Sequence, residues 1–577
     1  MNTEKEINFA ICAQAGQGLE KSQAILTQIV KRHNYYCVST KDYLSRIRGG
    51  MNCASIRISE EEKNGYKKHI DVLFAFSPGA IEHVRERLNK NTLIFHDKSF
   101  KAENIEAYAV VEIDFIGLAE AAGSKAAMNS VAIGIIAGIM GFDSSIVESV
   151  ILKNFHKEEI ARINIEAVTK GREESGKWKV ESGKLEHENN FPLSTFNFPF
   201  NNDEVKNKLL LTGNEALGLG CVAGGCDFIS YYPMTPGAEL YSFLHSLSSD
   251  LNIFTEQCED EISVINMALG AWYSGGRGMI TTSGGGFALM EETVSLAGML
   301  ESPVVIHIGQ RPAPATGLPT RTEQADLNLA LYAGHGEFPR IIFAPSTPEK
   351  AFEIGSIAFN LADKFQVPVF ILSDEFFINT YFSSPVFDVE KVTYESHIAE
   401  TAPDYKRYQF SDNGISPRGI PSYGSGLVCV DSDEHNENGE IDETPANRTA
   451  MVNKRLRKLD GIKKDILAPK FFGAQEYKTL LISWGSTYST VKEVVAQLEN
   501  VAMLHFAQVY PLSESIKDYI DSDKRVIAIE NNATGQFANL IKLQTGINIE
   551  HRILKYDGFP FNVEDLTDSV KEIINAR

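Results

Sequence analysis

The chain has 577 residues, of which 43% are hydrophobic and 10% aromatic, and a formal net charge of -21. That length suits three or four domains at the usual ~150 residues each, and the apolar content builds several cores, which excludes a disordered chain. The acidity excludes a nucleic-acid partner, because phosphates are repelled, and it argues against this chain alone docking an acidic redox carrier.

No basic segment followed by an apolar stretch opens the sequence, so a secretory signal is excluded and a cytoplasmic location is expected. The longest apolar run, Val131 to Phe142, is too short for a bilayer and predicts a buried helix, with no membrane association. Seven cysteines are scattered at 12, 37, 53, 221, 226, 258 and 429. None forms Cys-x-x-Cys, which suits a reducing compartment and speaks against an iron–sulfur cluster held by this chain. Cys221 and Cys226, the most closely spaced pair, lie in an Ala-Gly-Gly context and read as structural. No metal site is expected.

The first module opens with the strand Ile7–Cys12, the turn Ala13-Gln-Ala-Gly-Gln-Gly18 and a helix carrying Leu19, Ile25, Leu26 and Val30. Strand, glycine turn and helix begin a doubly wound α/β unit. Further strands are expected at 54–58, 72–76 and 92–95. Gly16 and Gly18 at a helix start suit a phosphate, yet the third glycine of the dinucleotide fingerprint is replaced by Lys21. The loop Ser45–Asn52 holds Arg46 and Arg48, which suit either an anionic group such as the phosphates of coenzyme A or subunit packing. A polar exit and a Phe/Pro/Asn-rich linker follow, giving domains at 1–190 and a linker at 191–209.

A second α/β module spans 210–385. A small-residue helix near 214–225 leads to the strand 227–232, which ends in Tyr232-Pro-Met-Thr-Pro236. Two prolines make this a stiff loop, either a plain strand-terminating turn or a device that holds the Thr235 hydroxyl still, with Pro233 beside it. Phe254 to Gly270 reads as a strand end delivering Glu259, Asp260 and Glu261 to a helix start. These carboxylates either complement the helix macrodipole or present one group for proton transfer, with Glu259 as fallback to Glu261. Arg277–Ser283 is a strand, and Gly284-Gly-Gly286 turns from it into a helix. Further strands are expected at 304–308, 340–344 and 367–372. Between them, Thr316-Gly-Leu-Pro-Thr-Arg321 presents an arginine, either for bidentate capture of a carboxylate or for a surface ion pair.

From 386 to 473 the pattern weakens into charged segments, with Asp431–Gly439 and Lys454–Leu459 read as loop-like. His435 sits among carboxylates, a metal-like setting that reads better as a solvated acidic loop. A last α/β module, 474–577, carries strands at 480–483 and 525–530. Alternating strands and helices throughout imply several doubly wound, mainly parallel sheets.

In order along the chain, these motifs resemble the alpha subunit of 2-oxoacid:ferredoxin oxidoreductases in the form with a gamma domain fused ahead of alpha. The resemblance rests on Gly16-Gln-Gly18, Arg48-Gly-Gly50, Gly213-Asn-Glu-Ala216, Tyr232-Pro-Met-Thr-Pro236 and Glu259-Asp-Glu261. It continues through Thr282-Ser-Gly-Gly-Gly-Phe287, Thr316–Arg321, Gly414-Ile-Ser-Pro-Arg418, Asp433-Glu-His435 and Glu530–Gln536. It implies a gamma domain, a thiamin-diphosphate pyrimidine-binding domain and a transketolase C-terminal-like domain. Glu261 is then the acid that faces N1′ of the aminopyrimidine, Glu259, Pro233, Thr235, Ser283 and Gly284 lie at the cofactor, and Arg321 helps bind the 2-oxoacid. Two departures stand out: Leu19 where the family has a fourth-place glycine, and Met234-Thr-Pro-Gly237 where it has Ile-Thr-Pro-Ser. The first weakens a role for the gamma domain, and the second alters pocket shape without removing Thr235.

Gly-Asp-Gly, which opens the usual Mg2+-diphosphate motif, is absent from the sequence. With the missing cysteine clusters, this implies a separate beta subunit supplying Mg2+, the diphosphate site and the iron–sulfur cluster. The reaction implied is oxidative decarboxylation of a 2-oxoacid, 2-oxoglutarate by preference, with the acyl group passed to coenzyme A and electrons to ferredoxin. A thiamin-dependent decarboxylase or dehydrogenase component without ferredoxin, and a catalytically idle structural subunit, are the competing readings.

Overall fold

In the computed structural model, residues 6–44, 50–177, 202–521 and 523–576 are described. Two compact units form: Met1–Leu211 with Asn379–Val386, and Thr212–Ile378 with Phe387–Arg577.

The first unit is built on strands β1 (Glu6–Gln14), β2 (Tyr36–Asp42), β3 (Met51–Ser59), β4 (Val72–Ala75), β5 (Leu93–Asp97), β6 (Ala109–Ile113) and β7 (Leu209–Thr212). β14 (Tyr381–Ser384) joins them from far along the chain, giving the order β6-β5-β4-β1-β3-β2-β14-β7. From β6 to β1 the sheet is parallel, as the α/β pattern predicts. β3 pairs antiparallel with both β1 and β2, because the stretch from Asp42 to Met51 is too short for a crossover helix. Gly16 (φ 89°) and Gly18 (φ 76°) take left-handed backbone between β1 and the helix Leu19–Arg32, which accounts for glycine at both places. Arg46 and Arg48 lie outside the described residues.

The apolar run is the core helix Met128–Ile139, which packs on the helix Glu158–Gly176. A Cβ on Gly134 would overlap the Val168 carbonyl, and one on Gly171 the Val131 carbonyl. The two backbones thus touch at reciprocal glycines. Among the described residues no helix is long and apolar enough to cross a membrane. Two of the scattered cysteines are not isolated: Cys12 and Cys53 face each other across β1 and β3 and are joined as a disulfide, with Cα atoms 4.2 Å apart. Sequence spacing hides this, because strand register alone makes them neighbours.

The second unit holds two sheets. The larger is formed by β8 (Phe228–Tyr231), β9 (Phe254–Gln257), β10 (Gly278–Ser283), β11 (Val304–Gln310), β12 (Ile341–Phe343), β13 (Pro368–Asp374) and β18 (Gln508–Tyr510). Its order is β18-β12-β13-β11-β10-β8-β9, parallel except at the β18 edge. β10, β11 and β13 are buried along their whole length, as strands covered on both faces must be. The smaller sheet contains β15 (Lys470–Gly473), β16 (Thr479–Trp484), β17 (Val501–Phe506), β19 (Arg525–Glu530) and β20 (His551–Leu554), in the order β15-β17-β16-β19-β20.

Two loop-like expectations fail here. Lys454–Leu459 belongs to the helix Pro445–Ile462, started by a Thr444 cap that accepts from the Asn447 N–H and by proline in the first turn. Its two lysines point inward: Lys454 and Lys458 are each 2.6 Å from the buried Glu301 carboxylate. His435 is fully buried rather than solvated, tilted against Tyr408 at 3.8 Å between ring centroids, with Nδ1 2.8 Å from the Asp433 carbonyl oxygen.

Gly134→Ala and Gly171→Ala should each destabilise the first unit by about 1–3 kcal/mol through overpacking. Gly176→Ala, with open space around its Cβ, should not. Chemical denaturation followed by circular dichroism checks all three.

Candidate functional site

The strand order of the larger sheet reverses at β8: β9 lies on one side and β10, with all later strands, on the other. Loops leaving the carboxyl ends of the strands there diverge and open a crevice, the usual ligand position in such sheets. β8 ends at Tyr231 and β10 at Ser283, so Tyr232–Pro236 and Gly284–Gly286 border it.

Glu261 begins the helix Glu261–Tyr273 beside this crevice. Asp260 caps that helix, its carboxylate accepting from the Ser263 N–H at 2.7 Å. The cap frees Glu261 from the helix end. Its side chain is 5% exposed, and its carboxylate has no hydrogen-bond partner among the described residues. Oε1 lies 2.9 Å from where a Cβ on Gly286 would sit, and the Thr282 hydroxyl is closer still. The Thr282 and Ser283 hydroxyls are themselves buried without partners among the described residues. A carboxylate and two hydroxyls left open around a side-chain-free turn are a poor structural solution and a good binding one.

The Thr235 loop is pinned against the same strand end. The Thr281 hydroxyl donates to the Gly237 carbonyl at 2.8 Å, and Arg311 Nη1 donates to the Thr235 carbonyl at 2.7 Å. Since the single Thr281 proton goes to Gly237, the His307 Nδ1, 2.8 Å from Thr281 Oγ1, must be the protonated nitrogen. Burial pushes the His307 pKa down to about 3, so this ring is a neutral strut. Thr235 is half-buried, Pro233 exposed.

Asp326 was missed in the sequence, where it stands among ordinary polar residues. Its carboxylate packs on Gly284, so closely that a Cβ there would overlap it, and Oδ2 is buried without a partner among the described residues. Burial raises its pKa to about 7, with help from Glu323, while Arg311 pulls the other way. Arg311 therefore ties the Thr235 loop and Asp326 together electrostatically.

Other expected residues are not gathered here. Glu259 is exposed. Arg321 lies further along the loop after β11, its guanidinium 4.7 Å from the centroid of the Phe559 ring. Gly16 and Gly18 belong to the first unit, where Asn129 Nδ2 donates to the Gln17 carbonyl at 2.7 Å and fills one side of the turn. Cys221 and Cys226 are buried thiols, and burial drives the Cys221 pKa up to about 12, far from thiolate ligation.

A buried carboxylate on a glycine turn at a switch point is a small-molecule binding arrangement of the α/β class. Residues 219–454 match the family model described as pyruvate flavodoxin/ferredoxin oxidoreductase, thiamine diphosphate-binding, and residues 8–174 match pyruvate ferredoxin/flavodoxin oxidoreductase. The 2-oxoacid:ferredoxin oxidoreductase subunit alpha of Saccharolobus solfataricus is 30% identical over 98% of both chains. The chain belongs to this family of 2-oxoacid:ferredoxin oxidoreductase alpha subunits. The 2-oxoglutarate oxidoreductase subunit KorA of Mycobacterium tuberculosis is 29% identical, over 81% of this chain and 71% of its own. Among solved structures, 2-oxoglutarate:ferredoxin oxidoreductase from Magnetococcus marinus, with 2-oxoglutarate, coenzyme A and succinyl-CoA bound, superposes with a TM-score of 0.90. It is 28% identical and covers 99% of this chain.

The raised Asp326 pKa carries a sign. An unfolded aspartate ionises near ~3.9, so stability falls as pH rises from there to about 7 and is level above it. Asp326→Asn should remove that loss. Its melting temperature relative to wild type should climb between pH 5 and 7 and then stay level, as read by thermal unfolding in matched buffers.

Proposed function

We propose that this chain supplies the pyrimidine-binding half of the active site in an enzyme that oxidatively decarboxylates 2-oxoglutarate. The observation that carries it is the Glu261 carboxylate, nearly buried, unpartnered among the described residues and set against Gly286. In this reading, residues 210–385 form the pyrimidine-binding domain and 474–577 the transketolase C-terminal-like domain, with the gamma-like domain at 1–190.

The open donor set fits an aminopyrimidine. Glu261 would hold the proton shared with N1′, while Ser283 and the Gly284 backbone bound the ring where side chains are excluded. When bound, thiamin diphosphate supplies the nucleophilic carbon that adds to the 2-oxo carbonyl and the cationic ring that takes the electron pair left by CO2. The role of Glu261 is to bias the ring's amino group toward the form that accepts a proton, which a carboxylate does best in a water-poor setting. Thr235, on a loop pinned by Arg311 and Thr281, would hold its hydroxyl beside the substrate carbonyl. Arg321 would bind a substrate carboxylate through its fork of donors. Glu259 has no part in this site.

Mg2+, the diphosphate cradle and the iron–sulfur cluster are assigned to a beta subunit, because this sequence has neither Gly-Asp-Gly nor clustered cysteines. The complete reaction takes a 2-oxoacid and coenzyme A to acyl-CoA and CO2, and two electrons leave one at a time to ferredoxin. Similarity to the 2-oxoglutarate oxidoreductase subunit of Mycobacterium tuberculosis and to the 2-oxoglutarate-bound enzyme of Magnetococcus marinus supports 2-oxoglutarate as the substrate.

Replacing Glu261 by Gln in the reconstituted complex should lower kcat at least ~100-fold, in line with loss of a positioned proton carrier. Gel filtration should still show an intact assembly; an assembled variant with near-normal turnover would defeat the proposal. Substrate assignment is tested separately by kcat/KM, which should favour 2-oxoglutarate over pyruvate at least tenfold, and Arg321→Met should raise KM for 2-oxoglutarate.

A further inference from the structure

The helix Glu261–Tyr273 is uncharged beyond its first residue. No charged side chain occurs from Ile262 to Gly276, in a chain whose formal net charge is -21. Its inner face is buried through Val264, Ile265, Ala268, Leu269 and Trp272. Its outer face is exposed yet carries no charge: Ile262, Asn266, Gly270 and Tyr273 follow at i, i+4, i+8 and i+11 and form one stripe. Ile262, directly after Glu261, is 55% exposed. The glycine turn that touches Glu261 extends the patch with Gly285, Ala288 and Leu289, all exposed. A helix without charge on any side is normally a buried one, and a contiguous uncharged patch marks an interface.

Gly270 stands in the middle of the stripe. It is exposed, and no atom of the described residues lies within 4 Å of where its Cβ would be. Glycine inside a helix is destabilising relative to alanine, and no contact within the chain offsets that here. In the first unit the same residue type has a visible purpose, since Gly134 and Gly171 let two helix backbones touch. Gly270 suits the same close crossing, with a helix from another polypeptide. A groove of about 210 Å³ beside it, walled by Leu269, Leu296, Leu300 and Val428 among others, has room for side chains of that helix.

Charge and position decide which polypeptide. Arg277 is the only lysine or arginine between residues 209 and 310, and it is buried. Exposed Glu259, Asp260 and Glu292 rim the patch. Two copies of this chain meeting here would press like charges together, whereas a partner with a basic rim is attracted. On the reading above, thiamin diphosphate lies with its pyrimidine at Glu261 and its diphosphate on the beta subunit. That subunit therefore has to reach the mouth of the crevice, where this helix begins.

We propose that the beta subunit packs on this face through an uncharged helix crossing at Gly270, inside a ring of basic residues facing Glu259, Asp260 and Glu292. The inference rests on the two-chain reading given above and deepens it, because docking here also closes the crevice over Glu261.

Calorimetric titration of the full chain with the beta subunit tests it. Gly270→Glu should weaken binding at least ~100-fold, the order expected of a charge buried without a partner, while circular dichroism shows an unchanged fold. Leu543→Glu, at an exposed leucine of the helix Gln536–Thr545 outside the patch, should bind as wild type does. Amide hydrogen exchange over residues 262–276 should slow in the complex, and added salt should weaken association. Wild-type affinity in Gly270→Glu, equal loss in both variants, or unchanged exchange over 262–276 would overturn the proposal. Self-association of the chain that Gly270→Glu abolishes, read by light scattering, would assign the face to a second copy and overturn it equally. If the wild-type chain and the beta subunit do not associate, the two-chain reading falls as well. If Gly270→Glu assembles normally and Glu261→Gln is still inactive, only the docking proposal falls.

Discussion

Three side chains from separate parts of the chain converge on a turn that has none. Glu261 and Thr282 approach Gly286, and Asp326 approaches Gly284, all so closely that a Cβ at either glycine is sterically excluded. Glycine in this turn is therefore a requirement of close approach rather than of unusual dihedral angles. The rest of the crevice is arranged around that vacancy. The Thr235 loop is fastened to β10 through Thr281 and to the loop after β11 through Arg311. A buried neutral His307 braces the strand between them.

The polar groups in the second unit divide by whether they are satisfied. Glu530 accepts from the Phe537 and Ala538 N–H groups and from Asn532, at 2.8 to 2.9 Å, and simply holds its loop together. Gln324 does the same across a longer span, donating to the Trp484 carbonyl at 2.9 Å and accepting from the Asn531 N–H at 3.1 Å. Glu261, Thr282 and Ser283 are the contrast: buried, capable of strong hydrogen bonds, and without partners among the described residues. Buried polar groups in folded proteins are nearly always paired, so three such groups gathered at one glycine turn are where a ligand is to be sought.

Much of the fold was legible because it rests on local patterns. Strand, glycine turn and helix near the start, the apolar helix Met128–Ile139, and the strands around 228, 278, 304 and 368 all carry their pattern in the sequence. The misreadings share a cause. Lys454–Leu459 looked solvated because its charges are dense, yet its partner is Glu301, some 150 residues earlier. The Thr444-Pro445 start signal was present and outweighed by composition. His435 drew attention through acidic neighbours in sequence, while its actual environment is the Tyr408 ring. The antiparallel half of the first sheet, closed by a strand from residues 381–384, has no local signature at all.

By itself the sequence determined the family, the alternation of strands and helices, and the candidate acid at 261, because ordered motifs and hydrophobic period are local properties of the chain. Only the tertiary structure decided which polar groups are left unsatisfied. It removed Glu259 to the surface, brought the unremarked Asp326 onto Gly284 and paired Cys12 with Cys53. Burial and pairing depend on what the rest of the chain places around a residue, and no window of neighbouring letters contains that information.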